Sequence, residues 1–165
     1  MAESIREKGL LQPISVRKFG TGYQLIAGER RLRASKVAGL DEIPALIFDV
    51  TSDQEMMELS LIENVQREDL NAIEEAKAYR ALIDDCFLTQ EEVAQRVSKD
   101  RSSVTNTLRL LSLAEEVRDA LGTNKISMGH ARALLGLEDS RAQESMCKDI
   151  INKGLSVRRV EALVR

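Results

Sequence analysis

Tryptophan is absent from this 165-residue chain, aromatic residues make up only 3%, and there are two prolines, two cysteines and one histidine. Each shortage closes off an architecture or a chemistry. With so few rings, the core must be built from Leu, Ile, Val, Ala and Met, which favours helices packed through aliphatic ridges over an all-β sandwich. Cys86 and Cys147 stand far apart without CxxC or His/Cys spacing, so no metal site is expected from them. A reducing, cytoplasmic setting is the simplest reading. No apolar run approaches membrane-spanning length, and the charged start Met1-Ala2-Glu3-Ser4-Ile5-Arg6-Glu7 has no h-region. Neither a membrane partner nor a signal peptide is expected.

What is present is a globular composition, 43% apolar and 31% charged, with a net charge of −3. That charge argues against a uniformly basic nucleic-acid coat. It is uneven, however: the first half is acidic and the second slightly basic, which permits a nucleic-acid surface in the second half.

The most informative stretch is Ala27-Gly28-Glu29-Arg30-Arg31-Leu32-Arg33. An alternating run at 23–27 predicts a strand that meets a helix at Gly28. A helix start leaves backbone N–H groups without partners, which suits an anion, and a glycine lets that backbone approach a ligand closely. Arg30, Arg31 and Arg33 add guanidinium groups that fork onto phosphate oxygens. The competing reading is an ordinary solvated basic helix face.

Before this stretch, residues 2–8 read as a helix stopped by Gly9, and 11–17 as a strand that tolerates Pro13 near its start. Gly20-Thr21-Gly22 turns that strand into the next, giving a hairpin. The arginine-bearing helix stops at Gly39, and 43–50 reads as a third strand. From residue 51 everything reads as helix. Residues 53–67 have a 3.6-residue apolar period and end in the polar cluster Glu63-Asn64-Val65-Gln66-Arg67-Glu68, which by itself fits simple surface solubility. A further helix spans 73–86.

A second pattern lies between Leu88 and Leu111. Thr89 and Glu92 form a capping box for a short helix that is apolar at Val93, Ala94 and Val97. After a Ser98-Lys99-Asp100 turn, Asp100 is placed to cap a second helix whose buried face is Val104, Leu108 and Leu111. Two short helices joined by a tight turn predict a helix-turn-helix, with a structural αα-hairpin as the alternative. The second helix then exposes Arg101, Ser102, Ser103, Thr105, Asn106 and Arg109, groups suited to base edges and phosphates. Later, Ser127 is placed to cap a helix carrying Gly129, His130 and Arg132. Ser156 is placed to cap Val157–Val164, with Arg158 and Arg159 in its first turns. No nucleophile or acid–base partner for His130 is discernible, so a packing or phosphate contact is expected.

These stretches, together with Gly9-Leu10-Leu11-Gln12-Pro13-Ile14, resemble in order and spacing the ParB family of chromosome and plasmid partition proteins, over essentially the whole chain. The resemblance implies an α+β N-terminal nucleotide-binding domain (1–70) followed by an all-α helix-turn-helix DNA-binding domain (71–165). It implies CTP with Mg²⁺, with phosphates on Gly28, Glu29, Arg30 and Arg31. Glu63, Asn64, Gln66 and Arg67 complete the site, and Gln12 lies near the nucleoside. Glu63 and Glu29 are then candidates for orienting water, and Glu63 and Asn64 for the metal. Arg101 stands where the family contacts DNA, and Gln90 joins the DNA-facing set with Arg109, Gly129, His130, Arg132, Arg158 and Arg159.

The implied function is a homodimer on a palindromic centromere-like DNA site. CTP closes it into a sliding clamp, and slow CTP hydrolysis resets the clamp. The longer family proteins engage a ParA-type Walker ATPase and SMC/condensin at the nucleoid. Residues 1–165 are expected to be a core without the ATPase-engaging segment or the C-terminal dimerisation domain. A nucleoid-occlusion relative shares these motifs. A plain helix-turn-helix regulator would need no nucleotide. A serine kinase on the same small fold would use ATP, and a sulfiredoxin-like enzyme would need a cysteine where Glu29-Arg30 stands.

Overall fold

Antiparallel pairing of β1 (Ile14–Phe19) with β2 (Gly22–Ala27) makes the predicted hairpin, and β3 (Ala45–Phe48) adds in parallel to the other edge of β1. The sheet order is therefore β2-β1-β3. This computed structural model describes residues 2–50, 52–67 and 70–164, and the chain divides into two compact units, Met1–Glu63 and Asn64–Arg165.

In the first unit, α1 (Ala2–Lys8) packs on α2 (Glu29–Ala38), and α2 carries the chain from β2 back to β3. Period-2 alternation puts Ile14 and Val16 on one face of β1, where both are buried, with Leu25 and Ile47 paired to Val16. α2 ends at Gly39, whose φ of 77° lets its N–H and that of Leu40 turn back onto the Lys36 and Ser35 carbonyls. The third strand is shorter than the 43–50 run suggested. It is an edge whose four residues are all exposed, so its apolar run is not a buried strand. The helix expected over 53–67 is α3 (Asp53–Val65). Glu68, the last residue of its polar cluster, lies outside the described residues.

The second unit is all helical: α4 (Ala72–Asp84), α5 (Gln90–Arg96), α6 (Arg101–Arg109), α7 (Glu115–Gly122), α8 (Met128–Leu134), α9 (Ser140–Lys153) and α10 (Val157–Val164). Its core is aliphatic, as the shortage of rings requires. Leu110, Val117, Leu121, Ile126, Leu134, Ile150 and Val160 cluster together, with Tyr79 and Leu82 buried on α4. One expectation is corrected: Leu110, not Leu111, is the fully buried residue. α6 ends at Arg109 and the chain tightens into a 3₁₀ turn over Leu110–Ser112, which turns position 110 inward.

α8 and α10 run parallel and very close. A methyl group built on Gly129 would lie 2.9 Å from Val157 Cγ2, and one on Gly136 2.8 Å from Val164 Cγ1. The two missing side chains thus let the helices touch at both ends. α9 is fixed across this group by Gln143, which is buried. Its amide oxygen accepts from Ala114 N–H at 2.8 Å and its amide nitrogen donates to Leu137 O at 2.8 Å.

Candidate nucleotide site and nucleic-acid interface

Gly28 joins β2 to α2 with φ 103°, a backbone that L side chains rarely adopt. A Cβ there would also sit 2.9 Å from Ile14 Cγ2 on β1, so both the dihedral and the space require glycine. α2 starts without a side-chain cap, and its first helical bond runs from Leu32 N–H to Gly28 O at 2.9 Å. The amides of 29–31 thus form an uncapped helix start, where the backbone carries partial positive charge.

Arg31 gathers the rest of this site. Its guanidinium donates to Pro13 O at 2.5 Å and to Gln12 O at 3.4 Å, and reaches Glu63 Oε1 at 3.7 Å. Gln12, Gly28, Arg31 and Glu63 therefore meet around one turn of backbone. Arg30 beside them is exposed, and Glu29 pairs with Arg33 at 3.2 Å. The residues fit an anionic phosphate group. Asn64 follows Glu63 on α3, and Arg67 N–H closes onto Asn64 O at 3.2 Å where that helix ends, with Gln66 and Arg67 exposed. Among the described residues no group of three His, Cys, Asp or Glu forms a metal cage. A magnesium ion carried by phosphate oxygens needs only one or two protein carboxylates, and Glu63 is placed to be one.

One arginine of the first unit is buried, with no local pattern to mark it. Arg17 on β1 is 3% exposed; it donates twice to Gln24 Oε1, at 2.9 and 2.7 Å, and pairs with Asp53 at the start of α3. Its guanidinium lies 5.4 Å from the Phe19 ring centre. Arg17, Phe19 and Asp53 line a cleft of about 390 Å³ with Lys18, Phe48, Asp49 and Val50. The cross-strand Gln24 could be read from hairpin register, but nothing local points to Asp53.

In the second unit α5 and α6 form the expected helix-turn-helix. Thr89 and Glu92 make the reciprocal capping box, and the Thr89 backbone and hydroxyl hydrogen bonds hold the Glu92 carboxyl below its usual range. Asp100 occupies the N-cap of α6 but its side chain makes no cap hydrogen bond. Val104, Thr107 and Leu108 are buried, while Arg101, Ser102, Ser103, Asn106 and Arg109 are exposed. Thr105 Oγ1 lies 2.7 Å from Gln90 Oε1 and 2.9 Å from Arg101 O, its one proton shared between the two acceptors, which ties α6 to the start of α5.

The turn between these helices is anchored from α4. Lys99 Nζ lies 3.2 Å from Glu75 Oε1, the same oxygen that accepts the Tyr79 hydroxyl. Burial and the Glu75 carboxylate push the Tyr79 phenol well above its ordinary value of about 10. A proton held in the folded state and released in the unfolded state makes stability fall as pH rises above the unfolded value. We expect this group to cost about 1.4 kcal/mol of folding stability per pH unit above pH ~10. Urea denaturation between pH 9 and 11 measures it, and Tyr79→Phe should flatten that decline.

The remaining candidates sit where α8 and α10 begin. Arg132, Arg158 and Arg159 are exposed, while Gly129 packs on Val157. Ser127 caps α8, and both nitrogens of His130 lie within hydrogen-bond distance of backbone atoms: Nδ1 is 3.2 Å from Ser127 N and Nε2 is 3.0 Å from Leu155 O.

Comparison with known proteins agrees with this two-part geometry. Residues 1–65 match the ParB N-terminal domain and residues 68–165 the ParB HTH domain. The chromosome-partitioning protein Spo0J of Thermus thermophilus is 57% identical over 99% of this chain and 60% of its own length. The chromosome-partitioning protein ParB of Myxococcus xanthus is 53% identical over all of this chain and 55% of its own. The chain thus spans a little over half the length of these relatives. Among solved structures, C-terminally truncated ParB from Caulobacter crescentus complexed to the centromeric parS site is 43% identical, with a TM-score of 0.81 over 99% of this chain and 86% of its own. A small sheet unit with a glycine-started arginine helix, followed by a helical unit with a helix-turn-helix, is the ParB arrangement, and this chain belongs to the ParB family.

Proposed function

We propose that the chain is the nucleotide- and DNA-binding core of a chromosome-partitioning protein. The observation that carries this reading is the α6 face, polar and exposed outward, apolar inward, on a chain 43% identical to a ParB held at its parS site. Two protomers take the half-sites of a palindrome. Arg101, Ser102, Ser103, Thr105, Asn106 and Arg109 face the groove, with Gln90 beside them, and Gly129, Arg132, Arg158 and Arg159 lie toward the DNA backbone, while the His130 ring packs between Ser127 and Leu155. Base contacts of this kind discriminate by about 1–3 kcal/mol each.

On the first unit, the amides after Gly28 together with Arg30 and Arg31 hold the phosphates of CTP, and Gln12 lies at the nucleoside end. The resemblance adds Asn64, Gln66 and Arg67. Bound Mg²⁺ would neutralise phosphate charge, with Glu63 and Asn64 as its protein ligands. Glu63 and Glu29 are assigned to orient the water of a slow hydrolysis, a reaction that depends more on positioning than on covalent chemistry. CTP must favour a closed, sliding state of the dimer over an open one, and DNA must act on the same equilibrium. The full-length protein would act at the nucleoid in the cytoplasm, with a ParA-type ATPase and SMC/condensin as partners.

Titrating the chain with CTP, ATP, GTP and UTP, with Mg²⁺ and with or without a parS duplex, tests this. We expect CTP to bind at least about tenfold more tightly than the others, a difference of about 1.4 kcal/mol. We also expect the duplex to change CTP affinity by the same factor that CTP changes duplex affinity. A preference for ATP would point to an enzyme on the same fold. DNA binding indifferent to every nucleotide would point to a plain repressor.

A further inference from the structure

His130 stands at the third residue of a capping box, a place where Glu or Gln ordinarily reaches back to the cap. Here Nδ1 is 3.1 Å from Ser127 Oγ and 3.2 Å from the Ser127 backbone nitrogen. A backbone N–H can only donate, and the Ser127 hydroxyl can donate as well as accept, so both contacts are met when Nδ1 accepts and the ring proton is on Nε2. That proton points to the Leu155 carbonyl, 3.0 Å away and 25 residues on. A carboxylate at this position could serve the cap but could give nothing to a carbonyl. Imidazole does both, because its two nitrogens face opposite ways.

Leu155 lies in the bend between Gly154, which ends α9 with φ 60°, and Ser156, whose Oγ accepts from Arg159 N–H at 3.4 Å at the start of α10. The next residue, Val157, is the one that touches Gly129. Arg158 and Arg159, both exposed, follow it directly. The direction in which α10 presents these arginines is therefore fixed at its start by two links from adjacent residues of α8, one hydrogen bond and one close packing contact. With Nδ1 committed to Ser127 and Nε2 to Leu155 O, the ring acts through Leu155 and not as a contact of its own.

We propose that His130 is a positioning residue: by bridging the α8 cap to Leu155 O it aims Arg158 and Arg159 at the phosphate backbone. This rests on the reading of the helical unit as a DNA binder. The two hydrogen bonds can be separated chemically. His130→Gln places an amide N–H near Nε2 and keeps a donor for Leu155 O. His130→Asn places an amide oxygen near Nδ1, keeps the cap, and falls short of Leu155.

The test measures affinity for a parS duplex across a salt series, with thermal melting of each variant alongside. Each lost phosphate contact flattens the slope of log K against log salt by about 0.9. We expect His130→Gln to bind like wild type. His130→Asn should lose about tenfold in affinity at moderate salt and flatten the slope by one to two such steps. The control is Arg158→Ala with Arg159→Ala. If it leaves the slope unchanged, the assignment of these arginines to phosphates fails. If it flattens the slope while His130→Asn does not, the positioning role is overturned. A second measurement does not depend on how the variants fold: ¹⁵N shifts of the wild-type ring should report the Nε2–H tautomer, and the Nδ1–H tautomer would overturn the proposal.

Discussion

Arg101→Ala should reduce binding to a palindromic parS duplex by about a hundredfold or more, while binding to unrelated DNA falls far less. Arg101 opens α6 with an exposed side chain, and the exposed Glu91 carboxylate stands 3.9 Å from its Nε, too far for a strong pair. Its guanidinium is thus available to an acceptor on DNA. The loss of one well-made arginine contact from each half-site, at about 1–3 kcal/mol apiece, gives about thirtyfold at the lower end of the range and a hundredfold from about 1.4 kcal/mol apiece. Sequence-independent attraction comes from the phosphates and survives one substitution per protomer with little change. Competition gel shifts with parS and scrambled duplexes separate the two effects. Equal losses on both would move the base-reading residue elsewhere, and unchanged thermal stability would show that α6 is intact.

Arg30→Ala should weaken CTP binding by about ten- to a hundredfold and leave DNA affinity in the absence of nucleotide unchanged. A charge-assisted hydrogen bond to phosphate contributes about 1.5–3 kcal/mol, which corresponds to that range. Arg30 is the better probe than Arg31 for a structural reason. Arg31 holds Pro13 O and stands by Glu63, so its loss would loosen the start of β1 as well as the site. Arg30 is exposed, and its removal should affect only what arrives from solution. Isothermal titration with CTP and Mg²⁺ measures the effect. Full affinity in the variant would place the phosphates away from the α2 start.

Much of this architecture could be read from local signals. The Gly20-Thr21-Gly22 turn announced the β1–β2 hairpin, Thr89 and Glu92 announced α5, and the spacing of Val104 and Leu108 announced which face of α6 lies inward. Each of these is decided within a few residues by dihedral preference, capping or period. What could not be read depended on distant partners. Arg17 looked like an ordinary strand residue. Its burial follows from Gln24 across the hairpin and Asp53 on a helix 36 positions later. α7 and α9 had no distinct sequence signal; Gln143 on α9 is held by Ala114 and Leu137.

The candidate sites divide in the same way. Glycine was legible at position 28 because a strand ran into a helix there, yet the pressure of Ile14 on it required the third dimension. The His130 ring was legible only as a residue beside a small neighbour. Its second hydrogen bond goes to Leu155, and no periodicity connects the two. The buried leucine is 110 and not 111 because the α-helical period ends at Arg109, where the backbone tightens.

The scarcity of rings leaves one more consequence, an optical one. The chain has two tyrosines and no tryptophan, and the tyrosines fall one to each unit: Tyr23 exposed on β2, Tyr79 at 1% exposure on α4. Tyrosine emission is therefore visible without an overlapping indole signal. The Tyr79 hydroxyl is held by a carboxylate, which quenches phenol emission, whereas Tyr23 reports from solvent. Opening the helical unit should free Tyr79 from Glu75 and brighten it, while loss of the sheet unit should leave that emission unchanged. The protein thus carries a built-in fluorophore that follows the anchor of its own helix-turn-helix, with no label attached.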